Sequence, residues 1–184
     1  MRHPLVAERE KSMLLVIDVQ QAMLKVIGSW EATLRRVDQL IQAAQLLDIP
    51  ILVTEHYKKG LGETVPEVKN AVGQAAFFQK EYFSACLEDD FLDTVGKLGR
   101  SKIVIAGMET HVCVLQTGMD LIQAGYQVHV VKNALASRYE EDWKSAVKLF
   151  RDAGAVITTA EIVIFQWACR SNTDEFRKIL PIVK

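Results

Sequence analysis

The chain has 184 residues, enough for one domain with a full core. Apolar residues make up 49% and charged residues 24%, and the formal net charge of −1 argues against a general nucleic-acid or anionic-membrane surface. No apolar run is long enough to span a bilayer, and the amino-terminal "MRHPLVAEREK" is charged where a secretion signal is apolar. The three cysteines, Cys86, Cys113 and Cys169, have neither metal-ligand nor Cys-x-x-Cys spacing, which points to free thiols in a reducing, cytoplasmic setting.

In chain order, "MLLVIDV" (13–19) reads as a buried strand. "TLRRVDQLIQAAQLL" (33–47) then puts Leu34, Val37, Leu40, Ile41, Ala44 and Leu47 on one helical face. "PILVTEH" (50–56) is the second strand and "AAFFQK" (75–80) a shorter one; the segment between, 57–68, reads as a long binding loop. "DDFLDTVGKLG" (89–99) is a helix closed by Gly99. "KIVIAGM" (102–108) is a strand, followed by a helix over 110–125. A strand over 126–134, a helix over 140–154 and a last strand over 154–160 complete the pattern. Alternating strands and helices predict a single α/β domain over 1–184, a three-layer sandwich with a mostly parallel six-stranded, Rossmann-like sheet. The apolar helix at Val114–Ile122 and the carboxyl-terminal "FRKILPIV" lead us to expect faces covered by another subunit, as in a homo-oligomer.

In a parallel sheet, ligands bind outside the carboxyl ends of the strands. Those ends carry Asp18 and Gln20, then Thr54, Glu55, His56 and Tyr57, then Lys80, then Met108, Glu109, Thr110 and His111. Cys113 falls in the first turn of the next helix, where the helix dipole and free N–H groups favour a thiolate. A carboxylate, an amine and a thiol on one rim are the parts for acyl transfer through a thioester. Each also has a plainer reading: Cys113 as a small core residue, Asp18 as a helix cap, Lys80 as a solvated edge residue, His56 as an ordinary polar contact.

Longer segments resemble the isochorismatase-like hydrolases, the cysteine hydrolase superfamily. "LLVIDVQQAM" is similar to that family's first strand with its Asp-x-Gln motif, and "FFQKEYFSAC" to its lysine segment. The stretch from Ile105 to Ser137 carries a Gly-x-x-Thr-x-x-Cys-Val-x-x-Thr pattern. "TEHYKKGLGETVPEV" resembles the subgroup of isochorismatase domain-containing proteins. The resemblance implies a triad in which Cys113 attacks, Asp18 shuttles the proton and Lys80 holds both in place. It also implies a cis peptide at Met108–Glu109 that turns the N–H groups of Glu109 and Cys113 toward an oxyanion.

Relatives that hold a metal carry an Asp-x-His pair after the second strand. Here His56 takes the aspartate position and Lys58 the first histidine position, so no metal and no cofactor is expected. Met23 stands where the family often has Phe. The expected activity is metal-independent hydrolysis of a small C–N substrate. The alternatives are a catalytically silent binding module and a redox-responsive thiol protein built on the same fold.

Overall fold

The computed structural model describes residues 2–28 and 30–184. Strand β1 (Ser12–Ile17) leads into α1 (Gln21–Leu24) and α2 (Trp30–Leu46). Strand β2 (Ile51–His56) is followed by α3 (Lys58–Leu61) and α4 (Pro66–Ala71), and β3 (Ala76–Lys80) by α5 (Phe91–Lys97). Strand β4 (Lys102–Met108) passes through a π-helical turn (Thr110–Val114) into α6 (Leu115–Gln123). Then come β5 (Gln127–Ala136), α7 (Glu140–Asp152), β6 (Val156–Thr158), α8 (Ala160–Ala168) and α9 (Asp174–Val183).

The strands form one sheet in the order β3-β2-β1-β4-β5-β6, and every pairing is parallel. Side chains alternate across the pleat, so β1 feeds two cores. Leu14 and Val16 join residues of α2, α4, α8 and α9 on one face, while Met13, Leu15 and Ile17 join α5, α6 and α7 on the other. Both faces are covered, which is why all six β1 residues are buried and the strand reads as an unbroken apolar run. The order reverses between β1 and β4, so the crevice beyond their carboxyl ends lies where Asp18 and Cys113 follow their strands.

Three sequence expectations change. The loop over 57–68 contains α3 and the start of α4, which opens with Pro66 at its first helical position, where the missing N–H costs nothing. The helix after β4 begins as a wide turn because the Glu109 carbonyl accepts from both Val112 N–H (3.1 Å) and Val114 N–H (3.3 Å). The apolar faces assigned to another subunit are partly covered within the chain. Ile179 of α9 is buried in the core with α2 and α8, and the Gln39 amide of α2 donates to Ile182 O (2.6 Å); Val114 and Leu121 are buried in the opposite core. Spacing shows that a face is apolar, not which element covers it.

Gly107 lets β4 lie against β1. Its φ is +142°, and a Cβ there would stand 2.1 Å from the Ile17 carbonyl oxygen. Gly107→Ala is expected to lower unfolding free energy by about 2 kcal/mol or more in urea titration. An unchanged midpoint would show that the strands part at no cost.

At the amino-terminal end of the sheet, the buried Lys102 ammonium donates to Pro4 O and Val6 O, at 2.5 Å each. His129 lies fully buried in β5 with its Nδ1 unpartnered. Burial first, and then the Lys102 charge, hold the imidazole down at about 4, against 6.5 for a free histidine. The unfolded chain therefore binds this proton at a higher pH than the fold does, so stability falls as pH drops from about 6.5 through about 4. The loss from this group is ~3 kcal/mol across that window, and His129→Leu is expected to flatten it in pH-dependent denaturation. An equally steep acid limb in the variant would remove His129 as its cause.

Candidate active site

Asp18 closes the β1–β2 ladder, its N–H donating to Thr54 O (3.2 Å), and then leaves the strand at φ +52°. Aspartate tolerates this left-handed conformation better than most residues. The turn brings Oδ1 to the Thr54 hydroxyl, which donates at 2.6 Å, and sets Oδ2 2.8 Å from Lys80 Nζ. Lys80 closes β3, and its ammonium also donates to Tyr82 O and Phe83 O, at 3.2 Å each. The Lys80 side chain is 0% exposed and that of Asp18 3%, so the pair is held away from water and needs every one of these partners. The ammonium is the charge partner of Oδ2, which takes no further hydrogen bond from the described residues.

Cys113 comes from the π-helical turn on the other side of the crevice, 6% exposed, and its thiol interacts with both Asp18 and Lys80. The three residues read as a triad thus meet. The thiolate expected from the helix start is not the resting state. Burial, reinforced by the Asp18 charge, pushes the Cys113 thiol up to about 12, and the opposing pull of Lys80 is too small to reverse it. The expected cis bond at Met108–Glu109 is also corrected, because no cis peptide occurs among the described residues. The chain turns there through Gly107, at φ +142°, with Glu109 extended before the wide turn. The Glu109 N–H meets no acceptor among the described residues.

A cavity of about 330 Å³ opens above Asp18 and Cys113. Its walls are mostly apolar, from Met23, Val26, Leu61, Phe83, Met108 and Val112. His56, Tyr57, Glu109 and Arg138 supply polar atoms around them. The His56 ring lies 5.4 Å from that of Phe83; burial, followed by the Lys80 charge, keeps the imidazole below its usual range and neutral near pH 7. Arg138 Nε pairs with Glu109 Oε1 at 2.8 Å.

Other rim residues serve as framework. The Gln20 side chain donates to His56 O (3.0 Å) and Gly62 O (2.7 Å) and accepts from His56 N–H (2.8 Å), so it fastens the loop after β2 and does not line the cavity. Glu55 accepts from Thr64 N–H (2.7 Å) and the Gln79 amide (2.6 Å) and lies 3.5 Å from Lys58. Burial raises its carboxyl, but those contacts outweigh the effect and leave it below the usual range. The Thr110 hydroxyl ties the wide turn to β5 by donating to Ala136 O (2.9 Å). His111 faces away, with Nδ1 3.0 Å from Ser137 Oγ and 3.3 Å from Glu109. Phe83, Val26, Leu61, Val112 and Arg138 were not anticipated. Arg138 was within reach of the strand-end rule, but β5 runs to Ala136, beyond the expected end at 134. Among the described residues no group of three His, Cys, Asp or Glu side chains could hold a metal ion.

Comparison with known proteins places the fold in a family. The isochorismatase domain model matches residues 12–162. The secreted isochorismatase effector Isc1 of Phytophthora sojae is 35% identical over 177 residues, which cover 94% of this chain and 84% of the effector. A relative with that description means that family membership alone does not fix a cytoplasmic location. The structure of the MAR1 ribonuclease from Caenorhabditis elegans superposes with a TM-score of 0.89 at 36% identity, covering 96% of this chain and 91% of that one. YcaC from Pseudomonas aeruginosa, solved with hexane-2,5-diol and covalent acrylamide, gives a TM-score of 0.91 over 99% of this chain and 93% of its own; at 23% identity it shows the fold alone. No helix among the described residues is long and apolar enough to cross a membrane. With the domain model spanning most of the chain and the six-stranded parallel sheet in place, the chain belongs to the isochorismatase family of hydrolase-like proteins.

Proposed function

We propose that the protein is a metal-independent cysteine hydrolase that cleaves a small amide-type C–N bond through a thioester on Cys113. The observation that carries this reading is the buried meeting of a thiol with a carboxylate and an ammonium that are paired at 2.8 Å. The pKa matters to the mechanism. With the thiol pushed up to about 12, it is held as the neutral form near pH 7. Attack therefore goes with proton transfer to Asp18 Oδ2 as the S–C bond forms.

The carbonyl oxygen takes the displaced electron pair, and the backbone N–H groups of Glu109 and Cys113 are its donors. As the intermediate collapses, the C–N bond breaks and Asp18 returns its proton to the leaving nitrogen. Water then enters, gives a proton to Asp18 and attacks the thioester carbon. The C–S bond breaks, the proton returns to sulfur and the acid leaves. Lys80 keeps its charge throughout and balances whichever neighbour is negative. The cavity of about 330 Å³ limits the substrate to a small molecule. Tyr82, Phe83 and Leu87, each more than half exposed, are the apolar surface we assign to a homo-oligomer. A redox-sensor reading rests on a low-pKa Cys113, a premise that the raised thiol does not meet.

Intact-mass trapping against a panel of small amides, with a short RNA as a separate arm, tests the proposal. Wild type is expected to gain an acyl mass on Cys113, and Cys113→Ala to gain none. Asp18→Asn removes a charge that holds the thiol up, so iodoacetamide should alkylate Cys113 faster while acyl transfer falls by about 10²–10⁴-fold. RNA cleavage that survives Cys113→Ala, or acylation that survives Asp18→Asn, would overturn the reading.

A further inference from the structure

Lys80 is positioned by a loop, and the loop is fastened by the helix that carries Cys113. The Lys80 ammonium donates to the carbonyls of Tyr82 and Phe83, at 3.2 Å each, in the loop after β3. Exposed loop carbonyls are poor anchors unless something fixes the loop, and Tyr82 and Phe83 both have side chains largely in solvent. The Glu88 carboxylate accepts from the Glu81 and Tyr82 N–H groups, at 2.6 and 2.9 Å, and the next residues tie the loop to α6. Ser84, 1% exposed, donates from Oγ to Asp120 Oδ2 at 2.6 Å. The Ala85 N–H donates to the Thr117 hydroxyl at 3.0 Å. Thr117 is itself fully buried. Cys113, Thr117 and Asp120 follow one another at spacings that share a helix face.

We infer that Asp120 and Thr117 of α6, acting through Ser84 and Ala85, are positioning residues that set the Lys80 ammonium against Cys113 and Asp18. This inference rests on the triad reading proposed above. The helix bearing the nucleophile then also fixes the place of the cation beside it, and a shift of α6 carries both together. The Thr117 hydroxyl also donates to Phe83 O at 3.5 Å, and the Ser84–Asp120 bond, at 2.6 Å, is the shortest of the loop's side-chain bonds to α6 among the described residues. The contact needs an oxygen acceptor at position 120, not a charge.

The test is the alkylation rate of Cys113 by iodoacetamide, followed by peptide-resolved mass spectrometry from neutral to alkaline pH, with melting temperature recorded alongside. Lys80 is one of the influences that lower the thiol, so loosening it raises the midpoint of the pH profile. Asp120→Ala and Ser84→Ala are each expected to slow alkylation near neutral pH by about tenfold, equivalent to about one pH unit in the midpoint. Asp120→Asn, which keeps an acceptor for the Ser84 hydroxyl, is expected to restore the wild-type profile. Should Asp120→Ala fail to fold, Ser84→Ala, which deletes a single oxygen, carries the same test. A merely structural contact would lower the melting temperature and leave the profile in place, and that result overturns the inference, as does an Asn variant as slow as Ala. Lys80→Met separates the two readings. If it slows alkylation and the Asp120 and Ser84 variants do not, the positioning role fails alone; if it too has no effect, the triad reading fails with it.

Discussion

The Asp18–Lys80 ion pair is the constraint around which the site is arranged. It is buried, and a buried pair holds only when its remaining donors and acceptors are met. Removing one member of such a pair typically costs about 3–5 kcal/mol, because the other charge is left in a medium that solvates it poorly. Here the partners come from three neighbouring strand ends: Asp18 after β1, the Thr54 hydroxyl on β2 and Lys80 at the end of β3. The pair exists because β3, β2 and β1 lie side by side in parallel register. Parallel register in turn requires helical crossovers, which supply the two cores.

Under the proposed function, the pair also accounts for a buried thiol acting as a nucleophile. A cysteine poised as a thiolate reacts with many electrophiles and oxidants. Cys113 is held neutral by burial and by Asp18. In the proposed mechanism it loses its proton only as a bond to carbon forms, so selectivity would rest on what fits the cavity and presents a carbonyl to sulfur. Lys80 keeps the Asp18 carboxylate from being an uncompensated buried charge. The carbonyls of Tyr82 and Phe83 in turn keep that cation in place.

Much of this was legible in the chain. Apolar runs separated by amphipathic helices identify the strands, because a strand covered on both faces has no polar side. The rule that ligands gather at carboxyl ends of parallel strands puts Asp18, Lys80 and Cys113 on one rim among other polar residues, although they are up to 95 residues apart in sequence (18 to 113), and the family resemblance singles them out. Other assignments needed the third dimension. Gln20 and Thr110 have the right position and polarity for a pocket, yet both spend their hydrogen bonds on backbone groups. Arg138 and Phe83 reach the cavity through the real end of β5 and the path of a loop, neither of which a residue pattern specifies. The apolar faces of α6 and α9 were visible, but not their partners within the chain.

The sequence by itself determined the order of the elements, the two-sided burial of the strands and the chemical groups at the sheet's carboxyl rim. These follow from local periodicity and from which side chains can ionise or attack. Tertiary structure decided the protonation of Cys113, the division of the rim into framework and pocket, and the path by which Lys80 is held. Each depends on distance, burial and the direction of individual hydrogen bonds, quantities set only when segments remote in sequence pack together.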